Sequence, residues 1–166
     1  MIAALDVCYG VTDAVAACVL FHAFTDEAPA DVLFATIAGV EPYEPGAFYR
    51  RELPCLLAVL VLVKTPLDAV IIDGYVWLSS DGRPGLGAHL FKSLGKTTPV
   101  VGVAKTGFAG ADLAIPVLHG GSAKPLFVTA IGVEGEVAAA WVRGMHGEHR
   151  LPTLLKRVDR ACRDGR

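Results

Sequence analysis

Three carboxylates occupy positions where a charged side chain is costly. Asp6 lies inside the apolar run IAALDVCY, Asp73 ends the run DAVIID, and Glu52 begins the most apolar stretch in the chain, residues 53–63. A charge in a buried strand lowers stability unless something compensates it. Carboxylates that crowd together repel one another unless a cation joins them, and hard oxygen ligands suit Mg²⁺ or Mn²⁺. The pattern predicts a divalent-cation site that can position water and stabilise charge on a phosphodiester.

A lysine repeats this arrangement with the opposite charge. Lys105 follows the buried run PVVGVA, residues 99–104. Ligand sites in α/β proteins gather at the carboxyl ends of strands, so a lysine there can hold a scissile phosphate or the attacking water. A lysine that simply reaches solvent from the sheet explains the pattern equally well.

Each carboxylate also has an interpretation that needs no metal. An acid at the start of a helix interacts favourably with the macrodipole, which would account for Glu52. Asp73 precedes Gly74, a pairing typical of turns. Asp6 has no comparable explanation. From the pattern alone, the shared metal site and the separate roles have about equal support.

Hydrophobic periodicity indicates the elements that would position these residues. Three apolar runs, at 2–9, 14–24 and 31–40, predict strands in two antiparallel hairpins. A helix over 52–64 follows, with Pro54 in its first turn. Later strands are predicted at 68–73, 99–104 and 124–130, and later helices at 85–94, 135–145 and 151–163.

This order predicts an α/β fold. A three-strand antiparallel meander and parallel strands would form one mixed central sheet flanked by helices, an order that resembles the ribonuclease H-like fold. If the first strand neighbours the strand after the core helix, Asp6 and Asp73 lie side by side, and the helix packed over them brings Glu52 close.

The composition sets limits on the class of protein. The chain has 166 residues, of which 53% are hydrophobic and 19% charged, so residues 1–166 are expected to form a single globular domain. The longest apolar run has 11 residues, whereas a membrane span needs about 20. No signal-peptide pattern is seen, and the four cysteines lack CxxC spacing, as is typical of reduced thiols. We therefore expect a cytoplasmic protein without a membrane partner.

The charge is unevenly distributed. The net charge of −2 argues against a general nucleic-acid binder, but residues 143–166 contain seven Arg or Lys against three Asp or Glu. Arg157, Arg160 and Arg163 recur at i, i+3 spacing, which predicts a helix face that contacts phosphates. A solvated helix face is the simpler alternative.

Several motifs resemble the endonuclease V family, in that family's order and over nearly the whole chain. They are DVCY (6–9), PYEPG (42–46) followed by FYRRELP (48–54), IDG (72–74), GLGAHL (85–90), VGVAK (101–105) and RLP (150–152). The PYxPG…RE block is specific, whereas the short motifs gain weight from their positions. The family has a ribonuclease H-like fold and uses Mg²⁺ to cut a phosphodiester near deoxyinosine in DNA or inosine in RNA.

The resemblance implies a role for each matching residue. Asp6, Glu52 and Asp73 would bind Mg²⁺, for which Mn²⁺ can substitute, and Lys105 would be the catalytic lysine. Tyr43 would belong to a wedge that pries the strand at the lesion, on a loop stiffened by its prolines. The residues implied to bind nucleic acid are Tyr9, Pro42, Tyr43, Pro45, Arg51 and Gly74.

The chain departs from the family's pattern where the base would be read. Glu44 replaces an apolar wedge residue, and only five residues precede Asp6. Val76 stands where the family has a second glycine, and Ser79 where it has a histidine, so discrimination between bases is expected to be modest. A histidine that the family has near the metals is also missing, with Glu134 as its candidate substitute.

The leading hypothesis is an Mg²⁺-dependent endonuclease of the endonuclease V type. Its partner would be DNA or RNA with a deaminated base, in nucleic-acid repair or processing. One alternative is a nuclease of the same fold for branched, flapped or single-stranded nucleic acid. Another is a non-catalytic nucleic-acid-binding homologue, against which the intact acid trio argues.

Overall fold

The computed structural model describes residues 1–40 and 48–165, which form one seven-stranded sheet and four helices. The strands are β1 (Ile2–Tyr9), β2 (Asp13–Phe21), β3 (Asp31–Ala38), β4 (Ala69–Asp73), β5 (Val100–Ala104), β6 (Ile115–Val117) and β7 (Leu126–Ile131). The helices are α1 (Phe48–Leu60), α2 (Leu86–Ser93), α3 (Gly135–Arg143) and α4 (Thr153–Asp164). No helix in the described part of the chain is both long and apolar enough to span a membrane.

The strand order is β3-β2-β1-β4-β5-β7-β6. β1, β2 and β3 form the predicted antiparallel meander, and β4 and β5 extend the sheet from β1 in parallel. The predicted mixed sheet is therefore confirmed, as is the prediction that the first strand neighbours the strand after α1. β7 runs antiparallel to β5, and β6 pairs at its outer side.

The sheet lies between two apolar layers because alternate side chains along each strand point to opposite faces. Ala4, Ile71 and Val103 belong to the layer that contains the buried residues of α3 and α4. Leu5 and Ile72, their chain neighbours, belong to the layer under α1 and α2. Whether a strand residue holds an odd or an even place in the alternation therefore decides which pair of helices its side chain faces.

The start of the core helix differs from the prediction. α1 begins at Phe48, so Glu52 lies in its second turn and Pro54 lies inside the helix. The Tyr49 ring stacks on the His89 ring of α2, with centroids 3.7 Å apart, which stabilises the added turn. An N-terminal role in the macrodipole therefore does not account for Glu52.

Two other boundaries have local causes. β2 ends at Phe21, before the predicted residue 24, because Asp26 Oδ2 accepts hydrogen bonds from the N–H groups of His22 and Ala23 at 2.9 and 3.0 Å. Those bonds close a turn that a strand cannot continue through. β6 was not predicted, since it has three residues and contains Pro116, which fits only an edge strand.

Candidate metal centre

The sheet brings two predicted carboxylates and the predicted lysine to one edge. β1 pairs with β4 through Leu5 opposite Ile72, so the next residues in register are Asp6 and Asp73. Asp73 pairs with Val103 of β5, and Lys105 follows two positions later. Because the three strands are parallel, all of these side chains lie at the carboxyl edge of the sheet.

The parity of the strands decides which helix covers them. Asp6, Asp73 and Lys105 each continue the alternation of residues that face α3 and α4. From α4, Asp159 joins them. Asp6, Asp73 and Asp159 each present a carboxylate oxygen such that the three oxygens lie within 4.8 Å of one another.

Asp159 was missed because sequence reasoning treated its helix as a basic face. The available signal was an acid one residue from Val158, on the margin of the helix's buried face. Glu134, the substitute considered from the sequence, is exposed near the opposite edge of the sheet. It follows β7, whose Ile131 pairs with Val100 at the start of β5.

Lys105 holds two of the carboxylates. Its Nζ donates to Asp73 Oδ2 at 2.8 Å and to Asp159 Oδ1 at 3.0 Å. Burial disfavours the ammonium, but the bonds and charges of Asp73 and then Asp159 outweigh burial and raise the pKa of Lys105. For Asp159, burial acts to raise the pKa. The hydrogen bonds and charges of Lys105 and Arg163 outweigh burial, so the pKa of Asp159 is lowered; Arg163 donates to Asp159 Oδ2. Lys105 is therefore charged at neutral pH.

Asp6 is less well compensated. Its Oδ1 accepts a hydrogen bond from the Val7 N–H at 2.8 Å. Burial, and after it the charge of Asp73, raises the pKa of Asp6 to about 6. The positive charge of Lys105 opposes this shift only weakly, so a further cation beside Asp6 would stabilise the ionised carboxylate.

Glu52 reaches this edge from α1, on the other face of the sheet. Burial, followed by the charges of Asp6 and Asp73, raises the pKa of Glu52 to about 8. Its Oε2 is buried and has no hydrogen-bond partner among residues 1–40 and 48–165. Within those residues it is not part of the 4.8 Å group, so α1 places it beside the three aspartates rather than among them.

This donor set fits a divalent cation. The side chains offer only carboxylate oxygens, the chemistry that Mg²⁺ and Mn²⁺ prefer. One of those oxygens is buried without a described partner, and two of the carboxylates have raised pKa values. A cation removes both penalties, because it favours the ionised form of each acid.

Arg51 and Tyr9 contact each other next to Glu52. The Arg51 Cζ lies 3.8 Å from the centroid of the Tyr9 ring, a cation–π contact. Burial raises the pKa of Tyr9, and the charge of Glu52 raises it further. The charge of Arg51 offsets part of the rise in the pKa of Glu52. The contact with Tyr9 therefore holds a positive charge next to the carboxylates.

A cavity of about 280 Å³ lies next to the candidate metal centre and is lined by Asp73 and Gly74. Gly74 turns the chain with φ +133°, and Gly102 lets it pass, because a Cβ there would lie 2.5 Å from the Gly74 carbonyl oxygen. The walls of the cavity include Tyr75, whose Oη donates to the Thr106 carbonyl at 2.7 Å. The aromatic residues that line the cavity are Phe48, Tyr49, Tyr75 and Phe108.

The two positions that depart from the family's pattern have other roles. Val76 is fully buried, and its N–H donates to Thr129 Oγ1 at 2.8 Å. Ser79 bonds within its own turn, to Asp81 and to the Arg83 N–H. Neither is among the described residues that line the cavity. The predicted wedge, Pro42, Tyr43 and Pro45, lies outside the described residues.

Comparison with known proteins shows which family the chain resembles. The chain matches the model of the Endonuclease V family over residues 1–151. An endonuclease V of Streptomyces avermitilis is 32% identical over 172 residues, which cover 90% of this chain and 72% of that protein. The family match contains Asp6, Glu52, Asp73 and Lys105 but ends before Asp159.

Solved structures extend the likeness over α4. A crystal structure of an endonuclease V from Streptomyces avermitilis has a TM-score of 0.78 and 29% identity, covering 99% of this chain and 80% of that one. An endonuclease V of Ciona intestinalis, crystallised with a 24mer DNA containing an inosine followed by a ribo-adenosine, has a TM-score of 0.78 at 19% identity. It covers 99% of this chain and 84% of its own, and at that identity it shows the fold alone.

Proposed function

The chain belongs to the endonuclease V family of nucleases, and from that premise we propose that it cuts DNA or RNA near a deaminated purine with the help of Mg²⁺. The observation that carries the proposal is the convergence of Asp6, Asp73, Asp159 and Lys105 at one sheet edge, with Glu52 beside them. Residues 1–166 would act as one nuclease domain, since both apolar layers share a single sheet.

The cation would be held by Asp6 and Asp73, with Asp159 and Glu52 as further oxygen donors. When bound, it would lower the pKa of a water molecule and stabilise negative charge on the phosphate. Mg²⁺ is proposed because every donor is a carboxylate, and Mn²⁺ would substitute for it.

The other residues position the substrate. Lys105 carries a stable positive charge at the rim of the aspartate cluster, and its Nζ is suited to hydrogen-bond a phosphate oxygen. Arg51 contributes a second positive charge, held on the Tyr9 ring near Glu52. Both cations act by electrostatic placement, which favours the transition state of phosphoryl transfer.

The aromatic cavity beside Gly74 is proposed to receive the flipped base. Tyr75 and Phe108, whose ring centroids are 6.1 Å apart, offer surfaces on which a base can stack. The inosine-containing DNA bound by the Ciona relative supports a deaminated purine as the target. Tyr43, between Pro42 and Pro45, remains the proposed wedge.

A second candidate is a nuclease of the same fold that acts on single-stranded or branched nucleic acid without selecting a base. The engagement of Val76 and Ser79 in contacts away from the cavity favours it. In either case, free cysteines support a reducing setting such as the cytoplasm, where the role would be nucleic-acid repair or processing.

Oligonucleotides identical except at one base test the proposal. DNA and RNA strands with inosine, adenine or guanine at that position would be incubated with Mg²⁺, with Mn²⁺ or with a chelator. We expect metal-dependent cutting close to inosine and less at the normal purines. Equal cutting of all three would support the second candidate, and cutting in chelator would refute the metal-dependent mechanism.

A further inference from the structure

A groove of about 550 Å³ runs beside α4. Its inner wall is α4 itself, and its outer wall comes from residues 27–29 and 147–149. Leu151 lines both this groove and the small cavity that contains the three aspartates. The groove and the candidate metal centre are therefore adjacent.

Helical geometry shows how the cationic side chains of α4 are arranged relative to Asp159. Successive residues of an α-helix are turned by about 100°. Measured round α4 from Asp159, Arg163 lies at about 40°, Lys156 at about 60°, Arg160 at about 100° and Arg157 at about 160°. The predicted arginines thus share the exposed side of the helix, spread over about 120°, and Lys156 lies between Arg163 and Arg160.

The cations at the two ends of this row differ. Arg163 is ion-paired with Asp159, so its charge belongs to the metal centre. Lys156, Arg157 and Arg160 line the groove, and both arginines are exposed. A polyanion in the groove would therefore meet three cations of α4, and Asp164, at about 140°, is an exposed acid on the same side of the helix.

The outer wall carries the opposite charge. Glu27 and Glu148 line it, and both are exposed. A polyanion in the groove is attracted by the three cations of α4 and repelled by these two acids, so it should lie against the helix. A cation would be drawn to the other wall, which distinguishes the two classes of ligand.

We infer that this groove binds the sugar–phosphate backbone of the substrate strand on one side of the cut, with Lys156, Arg157 and Arg160 on successive phosphates. The inference rests on the proposed function and adds the path of the strand. Contacts of this kind raise affinity for any sequence and depend on salt, with a slope of about −0.7 to −0.9 in log–log form per phosphate neutralised.

The test is equilibrium binding of a fluorescent single-stranded oligonucleotide across a series of salt concentrations. The variant K156Q/R157Q/R160Q is compared with K64Q/K92Q/K96Q, which loses the same charge from exposed residues on the α1–α2 side. We expect the slope of the α4 variant to be less negative than the parent's by about 2 to 3, and the slope of the control variant to change little. E27Q/E148Q should tighten binding.

Cleavage kinetics give a second readout. The α4 variant should raise KM while leaving kcat at saturation unchanged, because Asp159 and Lys105 are intact. Methylphosphonates on one side of the cut should weaken the parent and not the α4 variant. Single variants R157Q and R160Q should each give about a third of the slope change, which guards against a fold defect in the triple variant.

Two results separate this inference from the function on which it rests. If the parent cuts the inosine strand but the α4 and control variants lose the same slope, the groove inference is overturned and the function stands. If no strand is cut in any metal but the α4 variant alone loses its salt dependence, the groove is supported and the proposed nuclease function fails.

Discussion

The candidate metal centre and the aromatic cavity both adjoin Asp73, but they are held in place by different means. In the centre, Asp6 and Asp73 extend buried strands whose backbones are fixed by neighbours on both sides. In the cavity, the walls come from the loop after Gly74, from the first turn of α1 and from Phe108, which is 47% exposed. A sheet therefore positions the charges, whereas loops and the start of a helix position the cavity.

This difference separates two properties of the protein. Changes in the centre should decide whether a strand is cut, because they remove charged groups that act on the reacting phosphate. Changes in the cavity should decide which strand is cut, because they alter stacking on a base. Three substitutions can break or sharpen this division.

The largest effect is expected at Asp73. Asp73→Asn removes a proposed cation ligand while keeping the size of the side chain, so cleavage should fall by at least about 10³-fold. Single-turnover cleavage of the inosine strand measures it. Asp31→Asn, at an exposed acid of the edge strand β3 that lies level with the start of β1, is the control and should cut like the parent. Cutting by Asp73→Asn at the parent's rate would remove the metal centre from the mechanism.

The second effect is on stability. The pKa of Glu52 is about 8 in the folded protein, against an ordinary value of 4.5, so the unfolded chain releases its proton first as the pH rises. Without metal, stability should fall between pH 4.5 and 8, because the folded state disfavours the ionised carboxylate. Glu52→Gln abolishes this loss, so it should be more stable than the parent above pH 8 and similar to it near pH 4.5.

Urea unfolding in chelator at both ends of that pH range measures the difference. The gain above pH 8 should be on the order of a few kcal/mol. Glu136→Gln, at an exposed acid of α3, should show no such pH dependence. Adding Mg²⁺ should reverse the order, since only the parent gains a full set of ligands. A gap between parent and variant that stays constant with pH would mean that the fold does not raise the pKa of Glu52.

The smallest effect is expected in the cavity. Phe108→Ala removes one stacking surface, so the ratio of kcat/KM for an inosine strand to that for an abasic strand should fall by about tenfold. The rate on an abasic strand should hardly change. Phe34→Ala, at a similarly exposed phenylalanine on β3, should leave the ratio intact. An equal loss for both variants would mean that the cavity does not read the base.

The strand-borne part of the site could be predicted well because its signal is local. An acid inside or ending an apolar run is visible in the chain, and parallel pairing of β1 with β4 follows from the order of elements. That sufficed to bring Asp6 and Asp73 together. Lys105 followed from the same rule on β5.

The helix-borne part depends on packing that no local pattern contains. Asp159 reaches the cluster only because α4 covers the face to which Asp6 and Asp73 point, and that face is set by strand parity. The start of α1 depends on the stacking of Tyr49 on His89, a contact between two helices. The contacts of Val76 and Ser79 likewise depend on the conformation of the loop after Gly74, which no local sequence pattern predicts.

The most direct test of the metal centre is anomalous diffraction from a crystal soaked in Mn²⁺. The account predicts one strong peak at the carboxyl edge of β1 and β4, bounded by the carboxylates of Asp6, Asp73 and Asp159, and its loss in Asp6→Asn crystals. A peak only at some other site, or none at this edge while Lys105 still bridges Asp73 and Asp159, would contradict the claim that the sheet builds a cation site there.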